Sequence, residues 1–390
     1  MKLFQRLMLA ALLIAVSSLK AQPPINTNKK NGGYTFTIDK QVNCTPVKNQ
    51  NKSGTCWCYS TQSFIESELM RMGKGNLDLS EMFVVRNMYI QKAEHYIRYQ
   101  GHTNFGAGGE PHDVINAMRE YGIVPKEIYS GMPPGETKPV HNEMDGALKA
   151  MLDVMVKTPD GKLNPNWKAA FIGALNGYMG TPSETFTYQG KTYTPQSYAK
   201  SLGINPDDYV ELTSFTHHPF YSQFILEVPD NWANSEVYNV SLEDLGRIAA
   251  NAIANDYSVE WGTDVSEKGF SYKNGVAIVP EKDYDDMNQM EKDSMFNKPG
   301  KEKVITQQLR QEAFDNLSTT DDHGMQITGS AKDQNGNSYY LVKNSWGTER
   351  NDLAGYFYCS VPYFLYKTTS IMVNKHALPK DIANKLGIKI

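Results

Sequence analysis

Residues 50–57 have the sequence QNKSGTCW and lead directly into a helical pattern. Apolar residues then recur at helical spacing until Gly73, which is typical of a helix with one buried face. Ser53 and Thr55 are candidate caps for the start of this helix, and Gly73 is a suitable residue to end it. The pattern therefore predicts that Cys56 lies at a helix N-terminus.

The last third of the chain has the alternating pattern of β-strands instead. Asn335-Gly336 lies between two of the candidate strands and is a strong hairpin signal. A helical early part and a sheet-rich late part predict an α+β fold with segregated layers. The candidate strands are 34–38 near the start of the body, then 325–330, 339–343 and 355–360.

The middle of the chain has the pattern of an additional layer. Residues 144–155 have the pattern of an amphipathic helix. Ser241 and Asp244 form a helix-start motif, and 258–262 has the pattern of a short strand. We therefore expect six parts along the chain. These are a signal peptide (1–21), a flexible lead (22–33), a helical half with the cysteine (34–125), a mainly helical insertion that rejoins the body near its end (126–301), a sheet-rich half with a histidine and an asparagine (302–378) and a short C-terminal arm (379–390).

The composition is that of a folded protein with a mildly acidic charge. Of the 390 residues, 40% are hydrophobic, which is enough for a large core. Lys and Arg number 39 against 43 Asp and Glu, giving a net charge of −4. Because nucleic acids and anionic membranes require a basic surface, neither is expected as a partner of the mature protein.

The N-terminus has the pattern of a secretory signal. An apolar run from Leu7 to Val16 follows Lys2 and Arg6 and is followed by Ser-Ser-Leu-Lys-Ala at 17–21, which includes the small residues Ser17, Ser18 and Ala21. The run is too short to span a bilayer, and a buried N-terminal helix is the alternative interpretation. We therefore expect export, either to the periplasm or out of the cell.

Four cysteines are too few for a disulfide framework in a chain of this length. Cys56 could be a reactive thiol, or it could be buried or disulfide-bonded to Cys44 or Cys58. The spacing of Cys56 and Cys58 lacks the second ligand pair of a structural zinc site. We interpret Cys44, Cys58 and Cys359 as structural residues.

Four residue types needed for thiol-based peptide cleavage are present. Such chemistry requires a thiolate, a base that later protonates the leaving amine, a group that orients the base, and donors for the oxyanion. Cys56, His323, Asn344 and Gln50 can fill these roles in that order. At a helix N-terminus and beside an imidazolium, the pKa of Cys56 is expected to fall enough to give a thiolate at neutral pH. Trp346 could shield the bond between His323 and Asn344.

These segments resemble the papain superfamily. The resemblance rests on residues 50–57, on His323 followed by Gly and Met, on Asn344 within NSWG, and on Gly108-Gly109. Cys56 and His323 are much further apart than the roughly 130 to 150 residues of ordinary papain-like enzymes. The excess length resembles the bleomycin hydrolase and bacterial aminopeptidase C group, which carries a helical insertion between the two halves.

The resemblance implies a fold, an activity and a substrate. It implies a papain-like aminopeptidase that cleaves peptides through a thioester, needs no cofactor or metal, and forms a homo-oligomer in some members. Gly108 and Gly109 would pair with the substrate backbone, while Trp57 and Trp346 would line the cleft. Ser53 occupies the position of a papain disulfide cysteine, so that disulfide is not expected. In the group, a C-terminal arm enters the cleft; here only residues 380–390 follow Pro379.

Other functions remain open from the sequence. The same fold could serve an endopeptidase, an acyl transferase that uses the same triad, or a non-catalytic peptide-binding protein. His217-His218 invites a metal interpretation, but no carboxylate lies at ligand spacing in the sequence, so we predict no metal site there.

Overall fold

The computed structural model describes residues 26–157 and 161–390. The predicted signal peptide, 1–21, lies outside these residues, as do the first residues of the predicted lead. Within the described part of the chain, none of the helices has both the length and the apolar character that crossing a bilayer requires.

Helices account for much of the first half of the described chain. The described helices are α1 (Cys56–Arg71), α2 (Glu81–Arg98), α3 (Pro111–Tyr121), α4 (Asn142–Val156), α5 (Trp167–Met179), α6 (Pro195–Leu202), α7 (Leu242–Ala254), α8 (Gln289–Ser294), α9 (Gln307–Asp315), α10 (Val361–Lys367) and α11 (Lys380–Lys385). Ser241 caps α7 by accepting a hydrogen bond from the Asp244 amide, as its motif predicts. Thr55 precedes α1 but does not cap it, because its hydroxyl is hydrogen-bonded to Ser53 at 2.5 Å.

The strands form one large sheet and a separate hairpin. The described strands are β1 (Phe36–Gln41), β2 (Phe186–Tyr188), β3 (Lys191–Tyr193), β4 (Tyr209–Thr213), β5 (Gln223–Ile225), β6 (Glu236–Asn239), β7 (Val259–Thr263), β8 (Phe270–Ser271), β9 (Val276–Ala277), β10 (His323–Asp333), β11 (Ser338–Lys343), β12 (Tyr356–Ser360) and β13 (Thr368–Asn374). The large sheet has the order β5-β6-β4-β13-β7-β10-β11-β12-β9-β8, and β1 also pairs with β10. Its pairs are antiparallel except β4 with β6 and β9 with β12. The hairpin consists of β2 and β3.

The register of the central strands brings polar side chains to one face of the sheet. Glu211 of β4 lies opposite Met372 of β13, which lies opposite Glu260 of β7, and Glu260 lies opposite Gln326 of β10. Residues directly opposite each other point to the same face. Helix α1 covers this face, where the hydroxyl of Ser60 donates to Glu260 at 2.7 Å.

The opposite face packs against α7 and the C-terminal helix α11. Trp261 of β7 is completely buried in an apolar cluster that includes Ile248 of α7. Arg247 of α7 pairs with Asp381 of α11 at 3.0 Å. The C-terminal segment is therefore fixed on the face of the sheet opposite to α1.

The segregated α+β fold predicted from the sequence is confirmed. The predicted helix after Cys56, the helix over 144–155, the strand near 258–262 and the Asn335-Gly336 hairpin are all present, with small shifts at their ends. The region 126–301 contains strands as well as helices. Two of its strands, β4 and β7, occupy central positions in the sheet, because β13 from the end of the chain lies between them.

Candidate active site

Cys56 is the first residue of α1 and is partly exposed. The hydrogen bonds at this helix end begin with the amides of Cys58 and Tyr59, which donate to the Thr55 carbonyl. The Cys56 amide is thus free to donate to an incoming group. The Cys56 thiol is hydrogen-bonded by the amide of Gly324, the residue that follows His323. The fold therefore brings the start of α1 against the start of β10.

The imidazole of His323 is held by Asn344. Its Nε2 lies 2.8 Å from Asn344 Oδ1, and because that amide oxygen only accepts, Nε2 carries the proton and Nδ1 has a free lone pair. The ring of Trp346 covers the imidazole at 4.6 Å between ring centroids. Both His323 and Asn344 are buried, so water has little access to this hydrogen bond.

Gln50 is oriented by the turn that carries Asn344. The Ser345 hydroxyl donates to Gln50 Oε1 at 2.6 Å, and the Gln50 amide donates to the Ser345 carbonyl at 2.8 Å. With its oxygen occupied, the side-chain amide of Gln50 retains its N–H groups for another acceptor. Together with the Cys56 amide, it can supply the two donors of an oxyanion hole.

Burial favours the neutral forms of both Cys56 and His323. It raises the pKa of the Cys56 thiol to about 12, and the carboxyl groups of Asp321 and Asp230 act in the same direction. It also lowers the pKa of His323 to about 4, which the bond to Asn344 only partly offsets. These pKa values differ from the resting thiolate predicted from the sequence, so a thiolate at Cys56 requires transfer of the thiol proton to His323.

The two glycines predicted to bind the substrate backbone form a partly exposed strip. A Cβ on Gly108 would lie 2.0 Å from Asp230 Oδ2, and one on Gly109 would lie 2.6 Å from Asp113 Oδ2, so neither position has room for a side chain. The indole of Trp57 donates to the Ala107 carbonyl at 2.9 Å. Trp57 is only 2% exposed, so it supports this strip from beneath and does not itself line the cleft as predicted.

The sequence interpretation did not identify two residues that position this machinery. Ser345 orients Gln50, as described above. Lys92 of α2 is buried and donates to the carbonyls of Gly106, at 3.0 Å, and Gly108. A lysine among the apolar residues of a helix indicates that its ammonium group has a hydrogen-bonding partner in the interior. The sequence did not indicate which carbonyl groups would accept from it.

The remaining cysteines are separate from this site. All four cysteines are described and none forms a disulfide. The Cys58 thiol donates to the Glu81 carbonyl at 3.4 Å, and Cys44 lies 3.3 Å from the Tyr356 hydroxyl. The structural interpretation of these residues agrees with their buried positions.

A carboxylate does reach the histidine pair, contrary to the prediction from sequence spacing. His217 and His218 each place Nε2 3.0 Å from the carboxylate of Glu227. However, the Gln311 side chain accepts from the Thr216 amide and donates to His217 Nδ1 at 3.0 Å. Nε2 of His217 therefore carries a proton and donates to Glu227, an arrangement that does not suit a metal ligand.

Comparison with known proteins agrees with this geometry. The sequence matches the Peptidase C1-like family over residues 173–390, more than half of the chain, and the papain family of cysteine proteases over 35–152. It is 23% identical to aminopeptidase G of Lactobacillus delbrueckii subsp. lactis, over 90% of this chain and 85% of that protein. It is 24% identical to bleomycin hydrolase of Gallus gallus, over 86% of this chain and 82% of that protein. The fold is similar to that of PepW from Lactobacillus rhamnosis HN001, with a TM-score of 0.70 and 20% identity over 90% of this chain and 84% of that one.

The fold and the site define a papain-like cysteine peptidase. The chain belongs to the Peptidase C1-like family, and among cysteine peptidases it is similar to aminopeptidases and bleomycin hydrolase. The family resemblance drawn from the sequence motifs is thus confirmed.

Proposed function

We propose that this cysteine peptidase is an exported aminopeptidase that hydrolyses peptide bonds through a thioester on Cys56. The observation that carries the proposal is the arrangement at the start of α1. There the Cys56 thiol lies beside the strand end that carries His323, and His323 is oriented by Asn344 with Nδ1 unprotonated. Export rests on the sequence pattern of residues 1–21.

In the first half of the reaction, the thiol proton moves to His323 Nδ1 as sulfur attacks the carbonyl carbon of the substrate. The negative charge that develops on the carbonyl oxygen is stabilised by the Cys56 amide and the Gln50 side chain. The imidazolium then gives its proton to the leaving amine, and the C–N bond breaks. This leaves an acyl group on the sulfur of Cys56.

In the second half, His323 takes a proton from water as the water oxygen attacks the thioester carbonyl. The C–S bond breaks, and the proton on the imidazole returns to sulfur, so that the carboxylic acid product and the free thiol are released. Asn344 holds the ring during both proton transfers. Because the same ring acts as base and acid, its orientation matters in each step.

Endopeptidase activity is a second candidate because of where the C-terminal segment lies. Residues 380–385 form α11, which is tied to α7 through Arg247 and Asp381 on the face of the sheet opposite to α1. That segment does not enter the cleft beside Cys56. Helix α11 is therefore not the group that would recognise the free amine of a substrate in this structure.

The test combines labelling and turnover under reducing conditions. A thiol-directed epoxide, added stoichiometrically, should label Cys56 and abolish hydrolysis of a mixture of free and N-acetylated peptides. Cys56→Ala should be inactive, whereas Cys44→Ala serves as the matched control and should retain activity. Hydrolysis by Cys56→Ala at the wild-type rate would refute the assignment. A faster reaction with the free peptides would favour an aminopeptidase, and equal rates would favour an endopeptidase.

A further inference from the structure

Carboxyl side chains from four separate segments lie close enough to interact with one another, and one of them, Asp321, also acts on Cys56. Glu110 directly follows the glycine strip and precedes α3, and Asp321 lies two residues before His323. Glu211 of β4 and Glu260 of β7 lie in the row of side chains that faces α1. Segments that are distant in the sequence thus supply acids to one part of the cleft.

Specific contacts connect these carboxyl groups to the active site. The carboxyl groups of Glu110 and Asp321 are hydrogen-bonded to each other. Glu260 Oε1 lies 3.3 Å from where a Cβ of Gly324 would be, and Gly324 is the residue whose amide reaches the Cys56 thiol. Gly324 thus lies between Glu260 and the reacting sulfur, and Asp321 is the member of the group whose charge acts on Cys56.

Three of these acids have no basic partner among the described residues. Glu211 forms an ion pair with His112 at 2.8 Å. In the described part of the chain, no basic side chain forms such a pair with Glu110, Glu260 or Asp321. Buried carboxyl groups are normally paired with a basic group or otherwise satisfied. Asp321, whose pKa burial raises to about 6, therefore places negative charge in the cleft at neutral pH that a ligand could neutralise.

Unpartnered oxygen atoms provide a second, independent sign of a ligand. Glu110 and Glu260 are 3% and 0% exposed, yet apart from the contact between the Glu110 and Asp321 carboxyl groups, Glu110 Oε1 and Glu260 Oε2 have no hydrogen-bond partner among the described residues. Glu211 Oε1 and the hydroxyl oxygen of Ser370 also lack a hydrogen-bond partner among these residues. Ser370 of β13 lies opposite Gly262 of β7. Buried polar atoms usually have partners, so several acceptors together favour a ligand rich in N–H donors.

The cleft is open at its rim and closed at its floor. Cys56, Gly109 and Asp321 are partly exposed, while Glu110 and Glu260 are buried. A positively charged group entering along the glycine strip would meet Asp321 first and Glu110 behind it.

We propose that Glu110, Glu260 and Asp321 line a cation-binding pocket that selects peptides with a positively charged group close to the bond cleaved at Cys56. This inference rests on the proposed peptidase function and names its substrate class. The cation is either the free α-amine of the peptide or a lysine or arginine side chain. Both offer N–H donors that can bridge two carboxyl groups. Recognition of the α-amine would supply the selection that the C-terminal segment, fixed on the other face of the sheet, does not provide.

A bound cation would also assist the chemistry. The negative charges of Asp321 and Asp230 oppose formation of a thiolate at Cys56. A positive charge held between Asp321 and Glu110 would offset them at the moment when the substrate carbonyl is in place.

The experiment uses four fluorogenic dipeptide amides that differ only in charge. Their first residue is lysine or norleucine, their second is alanine, and the amino terminus is free or acetylated. We expect acetyl-norleucyl-alanine amide to have the lowest kcat/KM, by about tenfold or more relative to peptides with a cation. A large effect of acetylation identifies the α-amine as the bound group, whereas a large effect of lysine over norleucine identifies the side chain.

Variants connect the preference to the pocket. Asp321→Asn and Glu110→Gln should each reduce the ratio of kcat/KM between charged and uncharged peptides several-fold. Asp285→Asn and Glu312→Gln make the same chemical changes at exposed positions and should leave that ratio unchanged. A ratio that is identical in wild type, Asp321→Asn and Glu110→Gln would overturn the proposal.

A binding measurement separates this inference from the peptidase function. Calorimetry with the Cys56→Ala protein requires no turnover. The ligands are the lysyl- and norleucyl-alanine amides, each with an acetylated and with a free amino terminus. Tighter binding of the charged peptides, lost in Cys56→Ala/Asp321→Asn, supports the pocket even if hydrolysis is absent. Equal binding of all four peptides would contradict the pocket even if the protein proves to be a peptidase.

Discussion

The hydroxyl of Ser345 donates to Gln50 Oε1 at 2.6 Å, linking the oxyanion donor to the turn that carries Asn344. Asn344 in turn accepts from His323. One turn therefore orients both the base and the oxyanion donor, although these groups come from opposite ends of the chain.

Replacing Gln50 should slow the chemical step. We expect Gln50→Ala to lower kcat by about 10²- to 10³-fold, because one of two oxyanion donors is lost. Ser345→Ala should lower kcat less, by about tenfold, since Gln50 remains but is free to rotate. Steady-state kinetics would test both, with Ser201→Ala, an exposed serine of α6, as a control for loss of a hydroxyl away from the site. An unchanged kcat in Gln50→Ala would contradict its role.

The reactivity of Cys56 should depend on His323. Burial raises the pKa of the thiol to about 12, so without the imidazole it stays protonated at neutral pH. We expect His323→Ala to lower the rate of iodoacetamide alkylation at pH 7 by about 10²-fold or more and to move the reaction to alkaline pH. The rate can be followed by mass spectrometry of the Cys56 peptide. Equal rates in wild type and variant would show that the imidazole does not activate the thiol.

Lys92 should affect substrate binding more than chemistry. Its ammonium group holds the carbonyls of Gly106 and Gly108, so Lys92→Met should release the glycine strip. We expect KM to rise about tenfold with a smaller change in kcat, because charged hydrogen bonds of this kind contribute about 1.5–3 kcal/mol. The exposed Lys200→Met is the matched control. A fall in kcat at constant KM would argue against this positioning role.

The preference for cationic peptides should depend on pH. Burial raises the pKa of Asp321 to about 6, and it also raises the pKa values of Glu110 and Glu260 well above their usual range. Asp321 loses its charge as pH falls through about 6. The ratio of kcat/KM for peptides that carry the recognised cation over peptides that lack it should therefore fall between pH 7 and pH 5.

The Asp321→Asn variant is the control for this pH effect. Asp230 and Asp322 also act on Asp321, and burial together with Asp113 raises the pKa of Asp230. With Asn at position 321, the ratio should be lower at pH 7 and should change little down to pH 5. A pH-dependent ratio of wild-type size in this variant would assign the titration to another group.

Much of the fold followed from local patterns. The helix after Cys56, the capped helix after Ser241 and the hairpin at Asn335-Gly336 depend on residues close together in sequence, so their signals could be recognised directly. The central position of β13 could not be predicted in the same way. It lies between β4 and β7 through pairing with segments more than a hundred residues away, and no local pattern records such pairing.

By itself, the sequence determined which chemical groups are available: a thiol at a helix start, an imidazole, and amides from Asn344 and Gln50. Tertiary structure alone decided how they are supported and what surrounds them. Ser345 and Lys92 became positioning residues, and Glu110, Glu260 and Asp321 became neighbours, because the sheet and α3 bring together residues from distant segments. The physical reason is that burial and long-range pairing set the charge and orientation of a side chain, and both depend on partners that the linear sequence does not place beside it.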